Sequence, residues 1–380
     1  MKGLRTWIEI DKSAAENNYK IFRKLTRQPA AKNCLLMAVV KSNAYGHGLV
    51  DFSRLMQKLG ADWFGVDSVV EALALRKAGI KKNILVFGYT LPERLKEAAK
   101  NNISLTISGP SHLQSIGIAS RQFSRPLKIH LKVDTGMRRQ GFQVAELAKA
   151  VNLLKKMKNK IKVEGLYTHF AAAKNPSFPA DTLKQIKLFE EAIKILKSFG
   201  FNPIKHAAAT SGTIIFPQSH YDLVRIGIGL YGLWPSKETQ AAFSDKINLK
   251  PVLTWKTIIG EIKNAAKGDR IGYDFTETFS KPAKIAILPI GYWHGFPRAL
   301  SSIGRVLIKG KPARVLGRVS MDMICVDISN IKNAKIGDEA IIIGKDGKNV
   351  ISADDIADLA NTTSYEILTR LNPLIKRIYI

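Results

Sequence analysis

Cysteine is nearly absent from this chain: only Cys34 and Cys325 occur in 380 residues. Both sit inside apolar, strand-like runs and read as small core residues. That scarcity excludes a disulfide-stapled scaffold and points to a reducing, cytoplasmic compartment. Long apolar runs are also missing, so no segment is expected to span a membrane and no membrane partner is expected. Met1–Glu9 is polar and mixed, without the apolar centre of a signal peptide. Acidic residues are scarce, with 31 Asp and Glu against 59 Lys and Arg, for a net charge of +28. An excess of that size raises the question of a polyanionic partner. However, no nucleic-acid motif accompanies it. The clearest cluster, Lys155, Lys156, Lys158 and Lys160, closes an amphipathic helical pattern, where cations also suit the helix dipole. We therefore read scattered surface lysines and no nucleic-acid partner, with a long-range pull on small anions.

Hydrophobic residues make up 46% of the chain, enough for a barrel and a second domain. Short apolar runs recur at Leu35–Lys41, Trp63–Val66, Ile84–Tyr89, Ser104–Ile107, Leu127–Val133, Val163–His169, Ile204–Ala208 and Leu223–Ile228. Amphipathic stretches such as Leu49–Leu59, Val69–Lys77, Ala145–Lys156 and Leu183–Phe199 separate most of them. The stretch after Ala208 has the weakest helical pattern. Eight strands alternating with helices predict an α/β fold with a TIM-type (β/α)8 barrel over residues 12–238. After Thr239 the pattern changes to short strands, including Val252–Ile262 as one run, separated by turns such as Lys267-Gly268-Asp269. This predicts a mostly β domain over 239–380, with one helix at Ser352–Asn361.

Lys41 ends the buried run Leu35–Val40. A lysine whose stem packs among apolar neighbours is suited to forming a Schiff base with an aldehyde cofactor or to carrying a proton. The alternative is a lysine that snorkels out of a strand end. Lys41, His169 and Arg225 all fall at the carboxyl ends of predicted strands, the face on which barrel active sites form.

Val39-Val40-Lys41-Ser42-Asn43-Ala44-Tyr45-Gly46-His47-Gly48 resembles the pyridoxal-phosphate lysine motif of bacterial alanine racemases. Further matches follow in that family's order: Lys132–Met137, Tyr167–Ala171, Arg225–Gly232, Pro289–Tyr292 and Gly317–Asp322. The resemblance covers essentially the whole chain. It implies a barrel followed by a β domain, with a strand in residues 1–11 packing against that domain. It also implies a pyridoxal 5'-phosphate cofactor on Lys41, a homodimer with shared sites, and interconversion of L- and D-alanine for peptidoglycan. Racemisation needs a base on one face of the α-carbon and an acid on the other. The resemblance assigns Lys41 to the side used by the D enantiomer and Tyr273, from the other subunit, to the opposite side near His169.

By the same resemblance, Arg225 meets the pyridine nitrogen. Tyr45, Ser211, Gly227, Ile228 and Tyr365 hold the phosphate, with Tyr365 coming from the partner subunit. Arg139, Met321 and Tyr292 line the substrate end, and Lys132 is a carbamylation candidate that orients Arg139. No metal is implied. Three positions depart from the family pattern: Lys174 stands where aspartate is usual, Trp293-His294 replaces Ala-Asp, and Arg138 makes an Arg-Arg pair. In the family that aspartate pairs with a corridor arginine, matched here by Arg318 or Arg298. These departures leave open a racemase of the same fold preferring serine, lysine or another amino acid. A cofactor carrier without turnover would be barrel-only. A fold-related decarboxylase is disfavoured by the Arg225 motif.

Overall fold

The computed structural model describes residues 3–27 and 34–380. It divides into two compact units. One comprises Ser13–Ala44 and Leu49–Pro251; the other comprises the N-terminal residues up to Lys12, Tyr45–Gly48 and Val252–Ile380.

The first unit is the barrel. Its strands are β2 (Leu35–Val39), β3 (Trp63–Val66), β4 (Asn83–Val86), β5 (Ser104–Ile107), β6 (Leu127–Lys132), β7 (Ile161–Tyr167), β8 (Ile204–His206) and β9 (Leu223–Ile226). All pair in parallel, in the order β8-β7-β6-β5-β4-β3-β2-β9. Backbone bonds from Asp222 N–H to Lys205 O and from Arg225 N–H to Ala208 O bring the two end strands together and nearly close the ring. Strands buried on both faces need continuous apolar sequence, and Leu35-Leu36-Met37-Ala38-Val39 supplies it. Met37, Trp63, Leu85 and Leu223 pack inside the ring. The outer helices bury single stripes: Leu147, Ala150, Val151 and Leu154 line one face of Leu147–Lys156. The weak pattern after Ala208 corresponds to a helix of only six residues, Thr210–Ile215.

The second unit is mostly β. Strand β1 (Thr6–Ile10) pairs antiparallel with β10 (Leu253–Ile258) and parallel with the last strand, Lys376–Tyr379. The single run expected over Val252–Ile262 is two strands, Leu253–Ile258 and Glu261–Ala265. The chain changes partner between them. Ile259 N–H bonds to Asp338 O, and Gly260 N–H bonds to Ile287 O in a different strand. The helix expected at Ser352–Asn361 runs Ala353–Leu359, with the Ser352 hydroxyl capping Asp355 N–H. A second short helix, Ser364–Thr369, was not foreseen. Cys34 is buried and Cys325 half-buried, and both are free thiols. Among the described residues no helix is long and apolar enough to cross a membrane.

Candidate active site

Lys41 follows β2, and four residues after it have positive φ: Ser42 (55°), Asn43 (55°), Ala44 (52°) and Tyr45 (52°). None is glycine. A left-handed conformation costs roughly 1–2 kcal/mol per L-residue other than Asn, so Ser42, Ala44 and Tyr45 together store about 3–6 kcal/mol. The turn's donors are held. Ser42 N–H bonds to Glu71 Oε1 at 2.7 Å and Asn43 N–H reaches the same oxygen at 3.4 Å. Ala44 N–H bonds to Val40 O at 2.8 Å.

Arg225 lies in β9 and is buried. Its Nη2 donates to Thr168 O (2.8 Å) and Ala207 O (2.7 Å), and stands 3.3 Å from His169 Nδ1. Its Nη1 lies 2.9 Å from His206 Nδ1. A guanidinium only donates, so His206 Nδ1 accepts and the ring proton is on Nε2. That N–H points at His130 Nδ1, 2.8 Å away. The His130 proton is then on Nε2, which faces Glu164 Oε2 at 3.7 Å. That last separation is too long for a formed hydrogen bond. Glu164 is fixed instead by Ser104 Oγ (2.6 Å) and Lys128 Nζ (3.1 Å). Tyr167 stacks on His206 at 4.7 Å, lies under the Arg225 guanidinium at 5.3 Å, and shares a 2.8 Å hydrogen bond with Thr106. Gly165 makes the arrangement possible, because a Cβ there would stand 2.0 Å from His130 Nδ1.

The charges acting on His169 are all positive. Burial, then the charges of Arg225, Arg139, Lys132 and Lys41, push His169 down to about 3. Burial, then Arg139 and Arg225, bring Lys132 down to about 8. Its ammonium donates to Gln140 Oε1 at 2.9 Å. Burial lowers Arg225 to about 10 and drives His206 well below its usual value. Four cations therefore act on one neutral imidazole at the strand ends. Ser211 is buried in Thr210–Ile215, while Gly227 and Ile228 follow β9 at the same end of the barrel. A phosphorylated aldehyde suits this donor set beside the Lys41 amine, so the residues present fit pyridoxal phosphate.

In the second unit the Tyr45 and Tyr365 rings lie 6.1 Å apart. This corrects the expectation that Tyr365 comes from a partner: one chain brings the two phenols together. Gly46 is packed so closely on Leu368 that a Cβ would stand 2.1 Å from its carbonyl oxygen, and Arg377 Nε donates to Gly46 O at 3.0 Å. Tyr273 is 66% exposed on a short turn between Arg270–Ile271 and Glu277–Thr278. Tyr292 and Met321 are also exposed, in loops tied by Tyr292 N–H to Ser320 O and Trp293 N–H to Met321 O. His294 Nδ1 accepts from Gly291 N–H. Arg318 stands 3.0 Å from Asp274, while Arg298 lines a cavity of about 590 Å³ with Tyr292, Glu366 and Arg370. In the barrel unit Arg138 and Arg139 are exposed, and the Lys174 carbonyl accepts from Ser236 and Thr239. No group of three or more metal-type ligands occurs among the described residues.

Sequence reasoning missed Glu71, His130, Glu164 and His206. Nothing in their local sequence marks them, because their partners lie far away in the chain.

Fold and site together define a two-domain barrel enzyme of the isomerase class. Residues 10–235 match the family described as alanine racemase, N-terminal domain, and residues 252–379 match alanine racemase, C-terminal domain. The chain belongs to the alanine racemase family. It is 40% identical to the alanine racemase of Leptospira interrogans, covering 99% of this chain and 96% of that protein. It is 39% identical to that of Methanococcus maripaludis, covering 98% of each. The structure of Clostridium difficile alanine racemase superposes with a TM-score of 0.92 at 32% identity, covering 100% of this chain and 97% of that one. The Bacillus anthracis enzyme with bound L-Ala-P gives 0.91 at 34% identity, covering 99% and 95%.

Proposed function

We propose that this chain interconverts L-alanine and D-alanine with pyridoxal 5'-phosphate, as a cytoplasmic homodimer that supplies D-alanine for peptidoglycan. The observation that carries the reading is the placement of Lys41, His169 and Arg225 at the carboxyl end of the barrel strands, with Arg225 3.3 Å from His169, in a chain that follows its relatives along its whole length. Bound there, the cofactor would supply an electron sink that makes the α-proton of an amino acid acidic.

Lys41 would anchor the cofactor, with Arg225 toward its ring nitrogen. Ser211, the backbone at Gly227 and Ile228, Tyr45 and Tyr365 would hold the phosphate. Because a guanidinium does not readily give up its proton, Arg225 would leave the ring nitrogen unprotonated, which limits side reactions at some cost in stabilisation. The Lys41 amine would move the α-proton on one face, and Tyr273 of the partner subunit would move it on the other. Its high exposure on a single chain supports that assignment. Arg139 would take the substrate carboxylate, steadied by a carbamylated Lys132, with Tyr292 and Met321 lining the substrate end.

The test is direct. The purified protein, loaded with pyridoxal phosphate, should racemise alanine in both directions, and Lys41→Ala and Tyr273→Phe should each abolish interconversion. A panel of L-amino acids scored for D-product decides between alanine and a serine- or lysine-preferring activity. Absence of any D-product would defeat the proposal.

A further inference from the structure

The left-handed turn after Lys41 is the most strained backbone near the site, and it has a specific restraint. Four consecutive non-glycine residues with φ between 52° and 55° do not persist unless their surroundings impose the conformation. Glu71 lies in the first turn of the helix Val69–Lys77, whose N-cap is Ser68. Its Oε1 accepts from Ser42 N–H at 2.7 Å and lies 3.4 Å from Asn43 N–H, while Oε2 accepts from Asp67 N–H at 2.8 Å. One carboxylate thus ties the turn after β2 to the loop after β3. Asn43 Oδ1 in turn accepts Leu49 N–H at 2.9 Å. Bonds to an ionised acceptor are among the stronger ones available to a backbone donor.

We propose that Glu71 is a positioning residue: it holds the left-handed turn and thereby fixes the direction in which Lys41 leaves β2. The inference rests on Lys41 being the cofactor anchor. A misplacement of a reacting group by about 1 Å can cost about a hundredfold in rate, so a restraint one residue from the amine has leverage on chemistry it does not touch. A purely structural role, capping the start of Val69–Lys77, would use the Asp67 and Ser68 contacts alone.

The experiment compares Glu71→Gln with the double variant Glu71→Gln/Ser42→Gly. Glutamine removes the charge and turns an NH2 group toward one of the backbone donors. Glycine accepts φ near +55° without a side-chain penalty, so it should relieve the need for the restraint. Ser42 is exposed, so its loss leaves the core intact. For Glu71→Gln we expect amide hydrogen exchange at Ser42 and Asn43 to rise at least tenfold in the cofactor-free protein. Affinity for pyridoxal phosphate, titrated by absorbance, should fall about tenfold. The double variant should recover most of that affinity, and of kcat, while the Asn43 amide stays fast. Unchanged exchange in Glu71→Gln overturns the proposal, as does a loss of affinity or folding that glycine fails to recover. Exchange and affinity do not require turnover. A wild-type protein that binds pyridoxal phosphate but racemises nothing would therefore refute the proposed function while leaving the role of Glu71 decided by these readouts.

Discussion

Glu164 offers a quantitative test of the buried chain behind Arg225. Burial alone would raise its pKa. The facing His130 N–H, the Ser104 hydroxyl and the Lys128 ammonium outweigh that and hold it at about 2 instead of 4.5. Its side chain is only 9% exposed, so solvent screening removes little of the effect. A carboxylate depressed to that extent stabilises the folded state by roughly 3 kcal/mol when ionised in both states. The folded value lies below the unfolded one, so this stability is complete above pH 4.5 and is lost as pH falls toward 2. Roughly 1 kcal/mol has gone by pH 4 and roughly 2 kcal/mol by pH 3.

The perturbation is Glu164→Gln, which keeps the shape and an acceptor for Ser104 but cannot ionise. At pH 7 we expect it to destabilise the protein by about 2–3 kcal/mol, read as a lower urea midpoint at equal slope. The gap from wild type should then narrow steadily between pH 5 and pH 3. Other carboxylates titrate in the same range, but they are common to both proteins and cancel in the difference. A gap that stays constant down to pH 3 would refute the reasoning, because it would mean that the loss comes from packing and not from an ionised, held carboxylate.

Lys132, brought down to about 8, should exchange its ammonium for the neutral amine as pH rises through 8. Carbamylation from 13C-bicarbonate should therefore increase between pH 7 and pH 9 and vanish in Lys132→Met. A bare amine at pH 9 counts against the modification. Lys174→Asp should change the Michaelis constant more than turnover, and an unchanged Michaelis constant rejects a role for this position in substrate entry. Gly46→Ala combines φ of +84° with a Cβ 2.1 Å from Leu368 O. It should cost at least ~3 kcal/mol or abolish folding, and a midpoint near wild type would show that the segment can shift.

Much of the barrel was legible because its strands are continuous apolar runs and its chemistry falls at their carboxyl ends. Lys41, His169 and Arg225 could be placed from that pattern alone. Other features left no local trace. Ser42 to Tyr45 contain no glycine, so nothing in the sequence marks four positive φ values, and the carboxylate that holds them is 29 positions from Ser42. Nothing in the sequence singles out His130 or His206, yet their rings meet across 76 positions, at a point where the β6–β7 register shifts between Ile129 and His130. A register irregularity is set by tertiary packing and has no sequence period to reveal it. The source of Tyr365 went wrong for a related reason. Its helix has only six residues, and it takes tertiary contacts, the close packing of Gly46 on Leu368 and the approach of Tyr45 to Tyr365, to show that the chain folds back on itself there.

The position of Glu164 explains how a cationic face and a buried guanidinium coexist. Arg225 forms no ion pair with a carboxylate among the described residues. An isolated buried charge is costly, so some compensation is required. A carboxylate in direct contact would compensate best, but it would also cancel the positive potential on the side shared with Lys41, Lys132 and Arg139. Two neutral imidazoles inserted between them change that balance. Coulomb interactions fall inversely with distance, so Glu164 pulls weakly on the other cations. Meanwhile the aligned N–H dipoles of His130 and His206 present a lone pair, not a charge, to the guanidinium. The strong depression of His206, and the lowering of His130 by burial, keep both rings neutral, which this arrangement needs. Protonating His206 would place a cation beside Arg225, and protonating either ring would leave two donors facing each other, so the hydrogen bonds run in one stable direction, from the guanidinium through His206 to His130, whose remaining N–H faces the carboxylate.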